Sequence, residues 1–102
     1  MNIILFSRKQ VIHHPEQLAK MLSALTRLGV DYTINEDFAS DIEQLLNMTI
    51  APEHRFVGAI EATGDDVVVT FGGDGTLLEA VGLLPNYDIP VVGINCGRLG
   101  YL

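Results

Sequence analysis

Apolar positions along the chain fall into short unbroken runs separated by stretches with helical spacing. Asn2–Phe6 (NIILF) is nearly continuous and closes on polar SRKQ, as a strand buried on both faces does. Pro15 then opens a helix at a position where its missing N–H costs nothing. Leu18, Met21, Leu22, Leu25 and Leu28 repeat at helical intervals and predict a core-facing side, with Gly29 as a left-handed cap. Residues 30–34 (VDYTI) predict a second strand, and residues 41–46 a short helix. Between 47 and 66 the pattern is weakest: Pro52 and Gly64-Asp65-Asp66 bracket HRFVGAIEA, which fits a helical turn or an irregular loop. Val67–Phe71 (VVVTF) is β-branched and uninterrupted until Gly72, residues 77–84 predict a helix broken by Pro85-Asn86, and Val91–Ile94 (VVGI) predicts another buried strand. Strands alternating with helices predict an α/β domain: a mostly parallel sheet whose right-handed crossovers put helices on both faces.

Composition narrows the partners. The 102 residues and 48% hydrophobic content suit one domain with a core of its own. Thirteen acidic against six basic residues give a net charge of −7, without the basic surface that nucleic-acid binding needs, so no nucleic-acid partner is expected. Cys96 stands alone, and the opening apolar run is too short for a signal peptide or a membrane span. A reducing cytoplasm and no membrane partner are the expectation.

The chemistry concentrates in TFGGDGTLLEA, residues 70–80. In open α/β sheets, ligands bind beyond the carboxyl ends of strands, where Gly72, Gly73, Asp74, Gly75 and Thr76 follow the VVVTF strand. Glycines let backbone approach a ligand closely, and successive N–H groups at a helix start surround an anion without any lysine. The P-loop requires Gly-Lys-Ser/Thr, which is absent; the dinucleotide fingerprint requires a third glycine where Leu78 stands. A carboxylate amid phosphates repels them unless it holds a divalent cation or accepts a proton from an attacking hydroxyl. The structural alternative is that Asp74 is a helix N-cap or turn residue, with Thr76 helping to satisfy free N–H groups.

Read with PVVGINCGRLGYL, residues 90–102, the glycine loop closely resembles the N-terminal domain of NAD kinases. That family pairs Gly-Gly-Asp-Gly-Thr with Asn-x-Gly-x-Leu-Gly-Phe one helix and one strand later. Here the second motif runs Asn95, Cys96, Gly97, Arg98, Leu99, Gly100, Tyr101, with tyrosine for phenylalanine. The first motif alone is also similar to diacylglycerol- and sphingosine-type lipid kinases and to phosphofructokinases; the second favours NAD kinase.

The resemblance implies a Rossmann-like or phosphofructokinase-like domain. It also implies phosphoryl transfer from ATP, or polyphosphate in some members, to the 2′-hydroxyl of the adenosine ribose of NAD, giving NADP. Asp74 matches the catalytic base. Gly72, Gly73, Gly75 and Thr76 shape the loop around ribose and phosphates, while Asn95, Gly97, Arg98, Leu99, Gly100 and Tyr101 line the dinucleotide site. A carboxylate is too weak to ionise a ribose hydroxyl outright, but in a loose transition state the proton leaves late, so Asp74 need only receive it then. Magnesium is expected to arrive with the nucleotide, and no protein metal ligands are assigned. Family members continue into a β-rich second domain, absent from this chain. The 102 residues alone are therefore expected to be weak or inactive and, with an exposed edge and apolar face, to self-associate, and a homo-oligomer is expected. A lipid kinase and a non-catalytic nucleotide-binding domain are the alternatives. His13-His14 reads as a helix-entry loop, Cys96 as a packing residue, and Arg8 and Arg98 as surface cations or phosphate contacts.

Overall fold

A computed structural model describes residues 2–8, 15–85 and 88–94. The elements are β1 (Asn2–Phe6), α1 (Pro15–Leu28), β2 (Asp31–Asn35), α2 (Glu36–Leu46), a 3-10 turn (Pro52–His54), β3 (Arg55–Phe56), β4 (Val67–Phe71), α3 (Asp74–Leu83) and β5 (Val91–Ile94). All five strands are parallel, in the order β3-β2-β1-β4-β5. β1 lies at the centre, with Leu5 opposite Ile34 on one side and Val69 on the other.

Side-chain alternation along β1 divides the core. Leu5 joins Leu18 and Leu22 of α1, Ile34 of β2, and Phe38, Ala39 and Ile42 of α2. Its neighbours Ile4 and Phe6 point to the opposite face, with Ile60, Val68, Ala80 of α3 and Ile89. Fully burying each large apolar side chain is worth about 1.5–3 kcal/mol, so neither face is dispensable. Helices on both faces of a parallel sheet are thus the observed α/β arrangement.

The element boundaries differ from the sequence expectations for identifiable reasons. Gly29 caps α1 at φ 71°, donating to Thr26 O at 3.1 Å while Val30 N–H reaches Leu25 O at 2.9 Å. Val30 is thereby consumed by the cap, and β2 starts at Asp31. Leu28 is 70% exposed and not core-facing; ten residues beyond Leu18, it has rotated about 80° off the buried stripe. α2 begins at Glu36, five residues before the expected start, because the strand turns directly into the helix at Asn35 with no connecting loop. Within the illegible stretch lie the 3-10 turn and the two-residue β3. α3 begins at Asp74, so the glycine loop supplies its first turn. β5 is a sheet edge and not a buried strand: Val92 is 51% exposed and Ile94 40%.

Side-chain ties hold the periphery. Arg55 donates through Nε to Glu36 Oε1 at 3.0 Å and through Nη1 to Glu43 Oε2 at 2.7 Å, fastening β3 to α2. Asp66 accepts from the N–H groups of Thr63 and Asn2, both at 2.9 Å, joining the starts of β1 and β4.

Candidate active site

From β1 the chain runs outward through β2 to β3, and from β4 in the opposite direction to β5, so the connections reverse between β1 and β4. This is the switch point at which open α/β sheets leave a crevice beyond the strand ends. Ser7 and Arg8 enter it from β1, and Gly72 to Gly75 from β4.

Ser7 locks that edge together. It is fully buried, and its hydroxyl donates to Phe71 O at the end of β4 at 2.7 Å. Its N–H donates to Asn35 Oδ1 at 3.0 Å, and Asn35 Nδ2 donates back to Ser7 O at 2.7 Å. Asn35 precedes α2 in the N-cap position yet makes no side-chain cap, spending its amide on Ser7 instead. The sequence reading missed both residues. The available signal was a small polar side chain immediately after β1 and another closing β2.

The glycines of the loop have separate roles. Gly72 has φ 152°, and a β-carbon there would stand 2.5 Å from Oγ1 of the buried Thr76. Its N–H extends the sheet ladder to Ile94 O at 2.9 Å. Gly73 is the N-cap of α3, with φ −100°, and a β-carbon on it would meet nothing within 4 Å. Asp74 is therefore not the N-cap; it is the first residue of α3, exposed, and its side chain forms no hydrogen bond or ion pair among the described residues. The first N–H groups of α3 and its dipole favour an anion at this point.

Arg8 covers Gly75 closely: a β-carbon there would lie 2.6 Å from Nη2 of the guanidinium. Arg8 Nε also faces Glu79 Oε1 at 3.7 Å, with both side chains about half exposed. Beside this pair a cavity of about 480 Å³ opens over the carboxyl ends of β1, β2 and β3. Glu36, on its wall, has its carboxyl held below the ordinary range by the hydrogen bonds from Arg55. Among the described residues no three His, Cys, Asp or Glu side chains gather to hold a metal ion.

Gly72, Gly73, Asp74, Gly75 and Thr76 thus come together at the switch point, and Arg8 joins them. Asn95, Gly97, Arg98, Leu99, Gly100 and Tyr101 lie outside the described residues, as do His13, His14 and Cys96.

The model of the ATP-NAD kinase N-terminal domain matches residues 3–102. The chain belongs to this family. Among relatives of this domain, a NAD kinase of Christiangramia forsetii is 35% identical over 89 residues, covering 85% of this chain and 30% of the relative. A NAD kinase of Marinomonas sp. is 35% identical over 100 residues, covering 96% and 33%, and one of Methanothermobacter thermautotrophicus is 29% identical over 102, covering 100% and 33%. The chain spans about a third of the length of these NAD kinases. No solved structure gave a significant match.

Proposed function

We propose that the full-length protein carrying this domain is a NAD kinase, phosphorylating the 2′-hydroxyl of the adenosine ribose of NAD with ATP or polyphosphate to give NADP. The observation that carries this reading is Asp74: an exposed carboxylate, unengaged among the described residues, at the start of a helix in the switch-point crevice of a NAD kinase-family domain. Among the described residues its side chain performs no structural duty.

In the reaction, the bond between the γ-phosphorus and the β–γ bridging oxygen breaks, and ADP leaves with the electron pair. The 2′-oxygen bonds to phosphorus, and its proton passes to the Asp74 carboxylate. Asp74 also orients the hydroxyl for in-line attack, which is the larger share of the work where the transition state is loose. Gly73 leaves open space above the helix start, and the α3 N–H groups receive phosphate oxygens. The divalent cation enters as part of the nucleotide substrate. Asn95, Gly97, Arg98, Leu99, Gly100 and Tyr101 contribute to the dinucleotide pocket, which a second, β-rich domain completes. Among the described residues no helix is long and apolar enough to cross a membrane, and the acidic net charge disfavours nucleic acid as a partner.

The test is NADP formation from NAD, Mg²⁺ and ATP by the full-length protein. Asp74→Asn is expected to lower kcat on the order of 10²-fold or more while NAD still binds. Equal activity in wild type and variant removes Asp74 from the mechanism. No NADP at all turns attention to a lipid acceptor.

A further inference from the structure

Gly72 and Gly73 bring little conformational preference of their own, so the path from β4 into α3 must be set by what surrounds them. It is set at the peptide group joining Phe71 to Gly72, which is held at both ends. Its carbonyl oxygen accepts from the Ser7 hydroxyl at 2.7 Å, on the β1 side. Its N–H donates to Ile94 O at 2.9 Å, on the β5 side. A peptide unit is planar, so fixing its two ends fixes the rotation about the bonds that flank it, and with it the φ of 152° at Gly72.

Ser7 is itself held. Regular pairing of β1 ends at Leu5 opposite Ile34 on one side and at Phe6 opposite Thr70 on the other, so Ser7 lies beyond both ladders. In their place Asn35 closes on the Ser7 backbone with two hydrogen bonds, Oδ1 accepting from the N–H at 3.0 Å and Nδ2 donating to the carbonyl at 2.7 Å. The Ser7 hydroxyl has one proton and two carbonyls in reach, Phe71 O at 2.7 Å and Arg8 O at 3.1 Å, and the shorter contact is the stronger. Full burial raises the cost of losing it.

Beyond this clamp only the two glycines stand before Asp74, which is exposed at the start of α3, where helix ends fray. The carboxylate therefore inherits its place from the clamp. We propose that Ser7, oriented by Asn35, is a positioning residue for phosphoryl transfer: it sets the Phe71–Gly72 peptide plane and, through it, the direction of the Asp74 carboxylate. The assignment rests on the phosphotransfer reading above. Asp66 provides a control, because it joins the starts of β1 and β4, the same two strands, at the end away from the crevice.

The experiment is steady-state kinetics of the full-length protein in wild type, Ser7→Ala, Asn35→Ala and Asp66→Ala, with Ser7→Ala also placed in the Asp74→Asn background and rates expressed per folded molecule. Each clamp variant is expected to lower kcat about tenfold, less than the roughly 10²-fold that a misplacement of about 1 Å costs, with the KM for ATP and for NAD within about twofold of wild type. Asp66→Ala should lower the urea midpoint yet leave kcat within about twofold. In the Asp74→Asn background the Ser7 substitution should cost less than about twofold, since the group it positions is already disabled. An unchanged kcat in either clamp variant, an equal loss in Asp66→Ala, or the same fold-loss in the Asp74→Asn background overturns the assignment. Should wild type form no NADP, it is the phosphotransfer reading that fails. Amide hydrogen exchange of the full-length protein then decides the clamp separately: faster exchange across the glycine loop in Ser7→Ala than in Asp66→Ala supports it, and equal exchange sinks it.

Discussion

Neighbouring glycines in the crevice answer to different forces. Gly72 combines φ 152° with a projected 2.5 Å approach to Thr76 Oγ1, so any side chain there strains the backbone and drives apart a buried contact. Gly72→Ala is expected to cost about 1–3 kcal/mol, measured as a lowered urea midpoint. Gly73 occupies an N-cap with ordinary extended dihedrals and open space beyond it. Gly73→Ser should hold or slightly raise stability, since serine caps helices well, yet NADP formation should fall as the hydroxymethyl group fills ligand space. If Gly73→Ser leaves NADP formation intact, that space is not used. The triplet reads in sequence as one ligand loop, because glycine has no side chain to declare its purpose. Only Thr76 beneath Gly72 and Arg8 above Gly75 separate the roles.

The elements are held in register by polar ties at their ends as much as by the sheet ladder. Ser7→Ala removes the hydroxyl that satisfies Phe71 O, and the expected loss is about 1–2 kcal/mol in a denaturation measurement, with α2 loosened less than the β1–β4 junction. Acid should act on a different set. The Glu36 carboxyl is held low chiefly by Arg55, Glu43 by the Ile50 N–H and then Arg55, and Asp66 by the Thr63 N–H. Each binds protons less readily folded than unfolded, so its stabilisation is complete above the unfolded pKa of about 4 and is lost as pH falls through the lower folded value. The urea midpoint should therefore drop below about pH 4.5. Arg55→Gln should shrink the drop by releasing Glu36, while the part due to Asp66 remains. These ties also mark where legibility ended. β1, α1 and β4 announce themselves through burial on one period. α2 was half concealed because Asn35 ends a strand and precedes a helix at once, and β3 because two residues paired to Ile34 and Asn35 leave no periodic trace. Of the crevice, the glycine loop was readable from local sequence. Ser7, Asn35 and the cavity beside Arg8 were not, since their meaning arises when strands distant in sequence become neighbours.

At the scale of the molecule, the β5 edge of the sheet has no further strand beside it among the described residues. Val92 and Ile94 on β5, with Leu78 on α3 at 70% exposure, present apolar surface that the net charge of −7 offsets only in part. The 102-residue chain alone is expected to self-associate in light scattering, and Val92→Lys to reduce its apparent mass; identical masses would mean that the edge is not the contact. The division of the core into two faces has a consequence for how the protein is made. The Leu5 cluster draws its buried members from residues 5 to 50, whereas the Ile4 cluster must wait for Ile60, Val68, Ala80 and Ile89. As the polypeptide leaves the ribosome, one side of the sheet can therefore collapse onto α1 and α2 before the glycine loop has been translated. The central strand would then greet its later partners as a half-finished template, and the glycine-loop crevice would take shape only after the Leu5 face has formed.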